Sequence, residues 1–538
     1  MHRSLTLVVI VGLAIAATAA GVPQAAVDAC SSLMSNAALR ALPNTTLTTA
    51  TTVSGAFAAP GAAQPVQGLP SFCRVTATLK PSQVSDVKVE IWLPTSGWNQ
   101  KLQGVGNGGL AGTITYGALA TAVKNGYASV STDTGHVASD TTWLADTEKE
   151  KDYGYRAIHG MTVTAKAVVQ QFYNATPKRN YFNGCSTGGG QAFGESQLYP
   201  EDYDGLLAGA PQDFPTNLRA AGIWEFQIVN NEPANKLPKP ALALLTAAVL
   251  RKCEAQFGID DGFLNDPQAC RFDPADLICK EAGQDPSTCL TPAQASAVKQ
   301  IYEGAISAHT KKQIWPGLVR GSEAPTGNGL VGWEAASFPG ATPFAPSAQF
   351  YSLAVFQDAN LDFHTVDIDN AVQMAVKKFP FINHISTDID PFMRRGGKLL
   401  IYHGWADPAV SPLNSVNYYG SLVAAVQRKR HLDSAAALKE AQKSTLLFMV
   451  PGMGHCAGGP GPSNFDAMTA LDQWVDQGVA PTQITASHQA GGAATFTRPL
   501  CPYPQVAEYN GSGSRTDASN WTCKARPFVF DASFYKVQ

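Results

Sequence analysis

Gly184-Cys185-Ser186-Thr187-Gly188 follows a short apolar run and precedes a helix-like segment, and no other stretch limits the fold so tightly. A Gly-x-Ser-x-Gly presents a usable serine where a strand turns sharply into a helix, because its glycines let the backbone pass close while the hydroxyl stands clear of the sheet. The rest of the chain must therefore supply an α/β sheet. Val87 to Leu93, Tyr127 to Thr132 and Asn180 to Phe182 read as strands, Met161 to Tyr173 as a helix, and Leu206 to Ala210 as a further strand. Such alternation predicts a sheet with helices on both faces. From about Pro211 to Arg395 the character changes to clustered prolines, four cysteines and irregular spacing, which reads as an inserted lid domain. The α/β pattern resumes at Lys398 to Tyr402, with a helical stretch from Asn414 to Gln442, a strand Thr445 to Val450 and a last helix Asn464 to Gln477.

Two of these later strands run into loops that carry chemistry. Lys398 to Tyr402 is followed by His403-Gly404-Trp405-Ala406-Asp407-Pro408, and Thr445 to Val450 by Pro451-Gly452-Met453-Gly454-His455-Cys456. The chain order Ser, Asp, His at strand ends is that of the α/β-hydrolases. In that arrangement Asp407 orients the imidazole and stabilises its cation, while His455 takes the proton from Ser186 and returns it to the leaving group. Cys185 directly precedes the serine and Cys456 directly follows the histidine. If Ser186 and His455 meet, their neighbours can reach the ~5.5 to 6 Å Cα separation of a disulfide, which would pin a glycine-rich loop. Gly104 to Gly109 is a Gly-x-Gly-x-x-Gly within the glycine-rich stretch Gly104 to Gly112. No Gly-Lys-Ser follows it and no strand and helix are expected to frame it, which sets aside a nucleotide phosphate loop.

With 45% hydrophobic residues, 15% charged residues and a net charge of −3, the chain shows no basic or acidic block suited to nucleic acid or an anionic membrane. Met1 to Ala20 has a basic start, an apolar run shorter than the ~20 residues of a span, and small residues at its end, so it reads as a signal peptide. Ten cysteines without a Cys-x-x-Cys fit an exported, disulfide-bonded protein, secreted to the periplasm or outside the cell. The domain reading is thus signal peptide 1–20, catalytic domain 21–210 and 396–538, and lid 211–395.

The segments "GCSTGG" at Gly184, "HGWADP" at His403, "PGMGHC" at Pro451, "STDTGH" at Ser131 and "PGLVRGSE" at Pro316 resemble the tannase and feruloyl esterase family, which includes mono(2-hydroxyethyl) terephthalate hydrolase. The resemblance runs from about Cys30 to Cys523. It implies an α/β-hydrolase fold with a large lid, a triad of Ser186, Asp407 and His455, and carboxylic ester hydrolysis without a redox or organic cofactor. Gly104 to Gly112 resembles the family's oxyanion loop, in which the Thr187 N–H and that of Gly108 or Gly109 are assigned as donors. It further implies the bridges Cys30 with Cys73, Cys253 with Cys270, Cys279 with Cys289 and Cys501 with Cys523. An arginine that usually follows the elbow glycines is Gly190 here. Family members often hold calcium in the lid. Here Glu254 and Asp261 and the carbonyls of Ile259 and Phe263 match that pattern, but Phe257 stands where a middle carboxylate belongs, with Asp260 as the remaining substitute. A weakened or lost calcium site is the expectation.

Between Ala324 and Met393 the lid has no arginine, and lysine only at Lys377 and Lys378, so no bidentate clamp for a terephthalate-like carboxylate is expected there. Esters of neutral aromatic acids, gallates or hydroxycinnamates, are the expected substrates. The charged terephthalate monoester is the alternative, and an inactive binding protein on the same scaffold is the alternative of another class.

Overall fold

A computed structural model describes residues 24–257, 260–281, 284–285, 287–336, 340–531 and 533–536. The expected signal peptide, the Ile259 carbonyl and the Phe257 side chain lie outside what is described.

Nine strands form one sheet in the order β1-β2-β3-β5-β4-β6-β7-β10-β11. These are β1 (Thr45–Phe57), β2 (Val66–Leu79), β3 (Val87–Pro94), β4 (Lys101–Val105), β5 (Ala128–Thr132), β6 (Arg179–Cys185) and β7 (Gly205–Gly209). The insertion contributes a small hairpin, β8 (Gly304–Ile306) with β9 (Gln313–Pro316), and the large sheet resumes with β10 (Lys398–Gly404) and β11 (Thr445–Val450). β1, β2, β3 and β5 pair antiparallel, and from β5 onward the pairs are parallel. Two C-terminal hairpins, β12 (Ile484–Ala490) with β13 (Ala493–Leu500) and β14 (Gln505–Tyr509) with β15 (Trp521–Ala525), close the chain.

The apolar runs of β7, β10 and β11 are nearly continuous because both faces are covered. Adjacent residues split between two cores, as the two-residue period of a strand requires. Phe182, Leu206, Leu399 and Leu447 join Met161, Val168 and Val169 of the helix Ala157–Tyr173 on one face. Tyr181, Leu207, Leu400 and Leu446 join Leu471 and Trp474 of the helix Ala467–Gln477 on the other.

Between β7 and β10 the chain leaves the sheet and builds its own core, in which Leu242, Leu245, Val249, Val298, Ile301 and Trp333 are buried together. It then returns so that Leu206 pairs with Leu399 and Ala208 with Ile401, as if nothing had intervened. A second cluster, with Phe350, Tyr351 and Phe379 of the insertion against Trp143 and Tyr153, seats this segment on the sheet domain.

Two expectations need correction. The stretch Asn414 to Gln442 is two helices, Pro412–Arg430 and Ser434–Ala441, because His431 turns left-handed (φ 52°) and Asp433 caps the second helix through Ala436 N–H. A strand does precede the Gly104 loop: β4 is short and carries Lys101, Gln103 and Gly104, so its apolar signal is weak, and the next helix begins only at Tyr116. β1 and β2 were not legible: six of the thirteen residues of β1 are threonine and only Ala50 and Phe57 are buried, so it shows no apolar run.

Candidate active site

Ser186 sits between β6 and the helix Thr187–Leu198 with φ 62° and ψ −121°. A non-glycine residue there costs on the order of 1–3 kcal/mol and persists because its surroundings over-determine it. Its N–H donates to the Gly209 carbonyl at 2.9 Å, and its own carbonyl accepts from Gly190 and Gln212 N–H at 3.0 Å each. The glycines are required by contact: a methyl group at Gly184 would lie 2.6 Å from the Gly188 backbone, and one at Gly190 2.2 Å from the Gln212 carbonyl. The glycine that replaces the family's arginine therefore lies where the chain crosses directly over the elbow helix.

Asp407 follows β10 in a tight turn and is fully buried. Its Oδ1 accepts the Ala409 and Val410 N–H groups at 2.8 and 2.9 Å. Its Oδ2 is 2.7 Å from His455 Nδ1 and 3.2 Å from Nε2 of the buried His403. Burial alone would raise this carboxyl's pKa, but the charge of His455 and the hydrogen bonds from both histidines outweigh it and hold the group below the ordinary carboxylate range. The reciprocal effect reaches His455: burial disfavours the imidazolium, and Asp407 overcomes that, so its pKa is raised. The imidazole thus has Nδ1 committed to Asp407, which leaves Nε2 for exchange with a hydroxyl.

The loop that carries His455 is fixed twice. His455 N–H donates to the Leu330 carbonyl at 3.0 Å, and Cys456, itself left-handed at φ 65°, is bridged to Cys185 with a Cα separation of 6.0 Å. The other four bridges join the pairs that the resemblance implied.

Ser186, His455, Gly108, Gly109 and the Cys185–Cys456 bridge line one cavity of about 340 Å³. Its walls are largely apolar, with Leu218, Trp315, Leu318, Leu330, Phe344 and Val410 contributed by the insertion and by the loop after β10. Thr187 stands behind the loop, its hydroxyl donating to the Gly109 carbonyl at 2.5 Å, and its N–H opens the helix, where no preceding helical carbonyl can take it.

Two charged residues that line the cavity, Arg219 and Glu225, were missed. Arg219, on the helix Pro215–Asn230, lines it but is 2% exposed, with Nη2 donating to Tyr153 Oη at 2.8 Å and the guanidinium 4.5 Å from the Phe350 ring centre. The window searched for a carboxylate clamp began at Ala324 and so excluded it. The available signal was an arginine without an acidic residue three or four positions away on its helix.

Among the described residues, the two carboxylates of the calcium pattern are engaged by the protein's own groups. Glu254 Oε1 accepts the Asp261 and Gly262 N–H groups at 2.9 and 2.6 Å, and Asp261 Oδ2 accepts Arg498 Nη2 at 3.1 Å. Arg498 is 2% exposed and stacks over Trp521 at 3.5 Å, so a fixed positive charge already occupies the carboxylate that a metal would need. Neither Glu254 nor Asp261 lines the cavity.

Among the described residues no helix is long and apolar enough to cross a membrane. Residues 73–524 match the family described as Tannase and feruloyl esterase. The chain is 36% identical over 522 residues to an uncharacterized esterase of Xanthomonas campestris, covering 90% of each. It is 32% identical over 542 residues to the mono(2-hydroxyethyl) terephthalate hydrolase of Piscinibacter sakaiensis, covering 87% of each. The crystal structure of feruloyl esterase B from Aspergillus oryzae superposes with a TM-score of 0.83 at 28% identity, over 93% of this chain and 100% of that one. With its nine-stranded sheet and its Ser, Asp and His at strand ends, this chain belongs to the tannase and feruloyl esterase family of carboxylic ester hydrolases.

Proposed function

We propose that the protein is a secreted serine esterase that cleaves esters of neutral aromatic acids, of hydroxycinnamate or gallate type, through an acyl-enzyme on Ser186. The observation that carries this reading is the junction of Ser186, His455 and the Cys185–Cys456 bridge at one apolar cavity, with Asp407 hydrogen-bonded behind the imidazole. Ser186 Oγ attacks the ester carbonyl as His455 Nε2 takes its proton. The Thr187 N–H and that of Gly108 or Gly109 receive the developing oxyanion. The acyl–oxygen bond then breaks, and the proton on His455 passes to the departing alcohol. Water, deprotonated by His455, attacks the acyl group and returns the serine. The insertion serves as the lid that walls the acyl group. Export by the N-terminal segment accords with five disulfides.

The apolar walls support the neutral substrate. Arg219 spends Nη2 on Tyr153 but keeps Nε and Nη1 buried without a hydrogen-bond partner among the described residues, so the charged monoester is the arm of the test that bears on it. The test is a panel of methyl ferulate, methyl gallate and mono(2-hydroxyethyl) terephthalate on the wild type and Ser186→Ala. Turnover of the first two that is lost in Ser186→Ala is expected. A preference for the charged monoester would overturn the substrate assignment, and activity retained in Ser186→Ala would overturn the mechanism.

A further inference from the structure

The segment Ser131-Thr132-Asp133-Thr134-Gly135-His136 has no part in the chemistry above, yet it lies directly under the loop that contributes Gly108 and Gly109. That loop is conformationally costly: Gly109, Ala111 and Gly112 are all left-handed, at φ 58°, 61° and 83°. Alanine in that region is disfavoured by roughly 1–2 kcal/mol, so the loop keeps its shape through what surrounds it.

Its hydrogen bonds show what does so. Asn107 is gripped from several sides: Nδ2 donates to the Thr132 carbonyl at 2.8 Å and to the Thr113 carbonyl at 3.0 Å, and its own carbonyl accepts Gly188 N–H at 2.8 Å. Beyond Asn107, three successive carbonyls are engaged. That of Gly108 accepts Ala111 N–H at 2.9 Å, that of Gly109 accepts the Thr187 and Tyr153 hydroxyls at 2.5 and 3.4 Å, and that of Leu110 accepts His136 Nε2 at 2.8 Å. Gly112 N–H donates to the Asp133 carbonyl at 3.1 Å. A carbonyl fixes the plane of the peptide that follows it, so Gly188 N–H on the Asn107 carbonyl sets the Gly108 amide and Ala111 N–H on the Gly108 carbonyl sets that of Gly109, while Tyr153 and His136 hold the next two peptides of the turn behind these cavity-lining glycines.

Both outer donors are themselves held. His136 is 7% exposed and stacks on Trp143 at 3.9 Å between ring centres. Leu110 offers an acceptor alone, so the ring proton sits on Nε2, and Nδ1 faces the Thr134 hydroxyl at 3.5 Å. Burial pushes the pKa of His136 down to about 4, so the ring stays neutral at the pH where an esterase histidine can act as base. Tyr153 lies in a π-helical turn, Asp152–Arg156, and its hydroxyl accepts from Arg219, which the insertion brings across to it.

We infer that His136 and Tyr153 are positioning residues that lock the left-handed turn Gly109 to Gly112 and through it hold the amides of Gly108 and Gly109 in place for the oxyanion. Arg219 completes the support from the insertion. A single hydrogen-bond chain thereby runs from the insertion to the loop: Arg219 to Tyr153, and Tyr153 to the Gly109 carbonyl. The inference rests on the proposed role of these amides and adds the side chains that orient them.

The experiment uses the full chain with His136→Phe, which keeps a ring on Trp143 but removes the donor, and Tyr153→Phe, which removes one hydroxyl. His136→Gln restores an N–H of similar reach. Expected are a fall in kcat of about 10- to 100-fold for His136→Phe and a smaller one for Tyr153→Phe, with KM within about twofold. His136→Gln recovers part of the loss. Affinity for an arylboronic acid, whose tetrahedral adduct on Ser186 places an oxygen at the same amides, should fall in step with kcat/KM, while affinity for the product acid stays constant. Wild-type kcat in both phenylalanine variants would overturn the inference, as would equal weakening of boronate and product binding. If His136→Phe does not fold, Tyr153→Phe and His136→Gln carry the same comparison. Residual turnover in Ser186→Ala would instead condemn the nucleophile, so the two failures are separable.

Discussion

Asp407 and Asp261 are two carboxylates in similar settings. Each is at most 10% exposed in its side chain, each takes an N–H from a basic side chain at 2.7 to 3.1 Å, and each stands close to a disulfide. They differ in the partner. His455 can gain and lose its proton near neutral pH, and it faces a cavity of about 340 Å³. Arg498 stays charged, and it is sealed under Trp521. The first pair can move a proton during a reaction, whereas the second can hold a charge and a loop in place. The bridges differ in the same sense. Cys185–Cys456 joins residues 271 apart and fixes one catalytic loop against another, while Cys253–Cys270 spans 17 residues and closes a local loop.

The comparison breaks most visibly at Asp407. Asp407→Asn keeps the shape but favours the wrong imidazole tautomer, and kcat should fall by about 10⁴-fold with little change in thermal unfolding. Steady-state kinetics on methyl ferulate would check this. Arg498→Met should do the opposite, leaving Asp261 buried without its cation. A loss of roughly 3–5 kcal/mol of stability is expected, with kcat unchanged for the protein that remains folded, as denaturant unfolding and activity at low temperature would show.

Next in size is the bridge itself. Cys185→Ser with Cys456→Ser should lower kcat by about 10- to 100-fold and leave KM nearly constant, because the histidine's position matters most in the transition state. An unchanged kcat would show that packing and the Leu330 contact hold the loop without it. The pH profile sharpens the contrast further. His455 acts as base in its neutral form and its pKa is raised by Asp407, so kcat/KM should fall as pH falls through a value above the usual 6.5. In Asp407→Asn that limb should move to lower pH. The smallest effect is that of metal. Millimolar calcium or EDTA should shift the unfolding midpoint of the wild type by less than about a degree, since a ligand must bind the folded state to stabilise it. A rise of several degrees would show that the Glu254 and Asp261 loop binds calcium despite Arg498.

The meeting of Ser186, Asp407 and His455 was legible because each lies just beyond a short strand, and parallel register brings such ends to one edge of the sheet. The cysteines beside Ser186 and His455 made one long-range contact readable from their neighbours. The supports of the oxyanion loop were not readable in this way. His136, Tyr153 and Arg219 come from three separate segments and meet where the insertion folds back across the sheet, which no local spacing encodes. Arg498 was hidden for the same reason, since 237 residues separate it from Asp261. The break at His431 carries neither glycine nor proline, so helical periodicity ran through it.

The central claim is that Ser186 carries the acyl group. Acid-quenching the wild type during its first turnover of an activated aryl ester, then mapping the modified peptide by mass spectrometry, tests it directly. The account predicts one acyl group, on Ser186, that disappears on a second, slower phase as water attacks. An acyl group mapped to any other residue would contradict it.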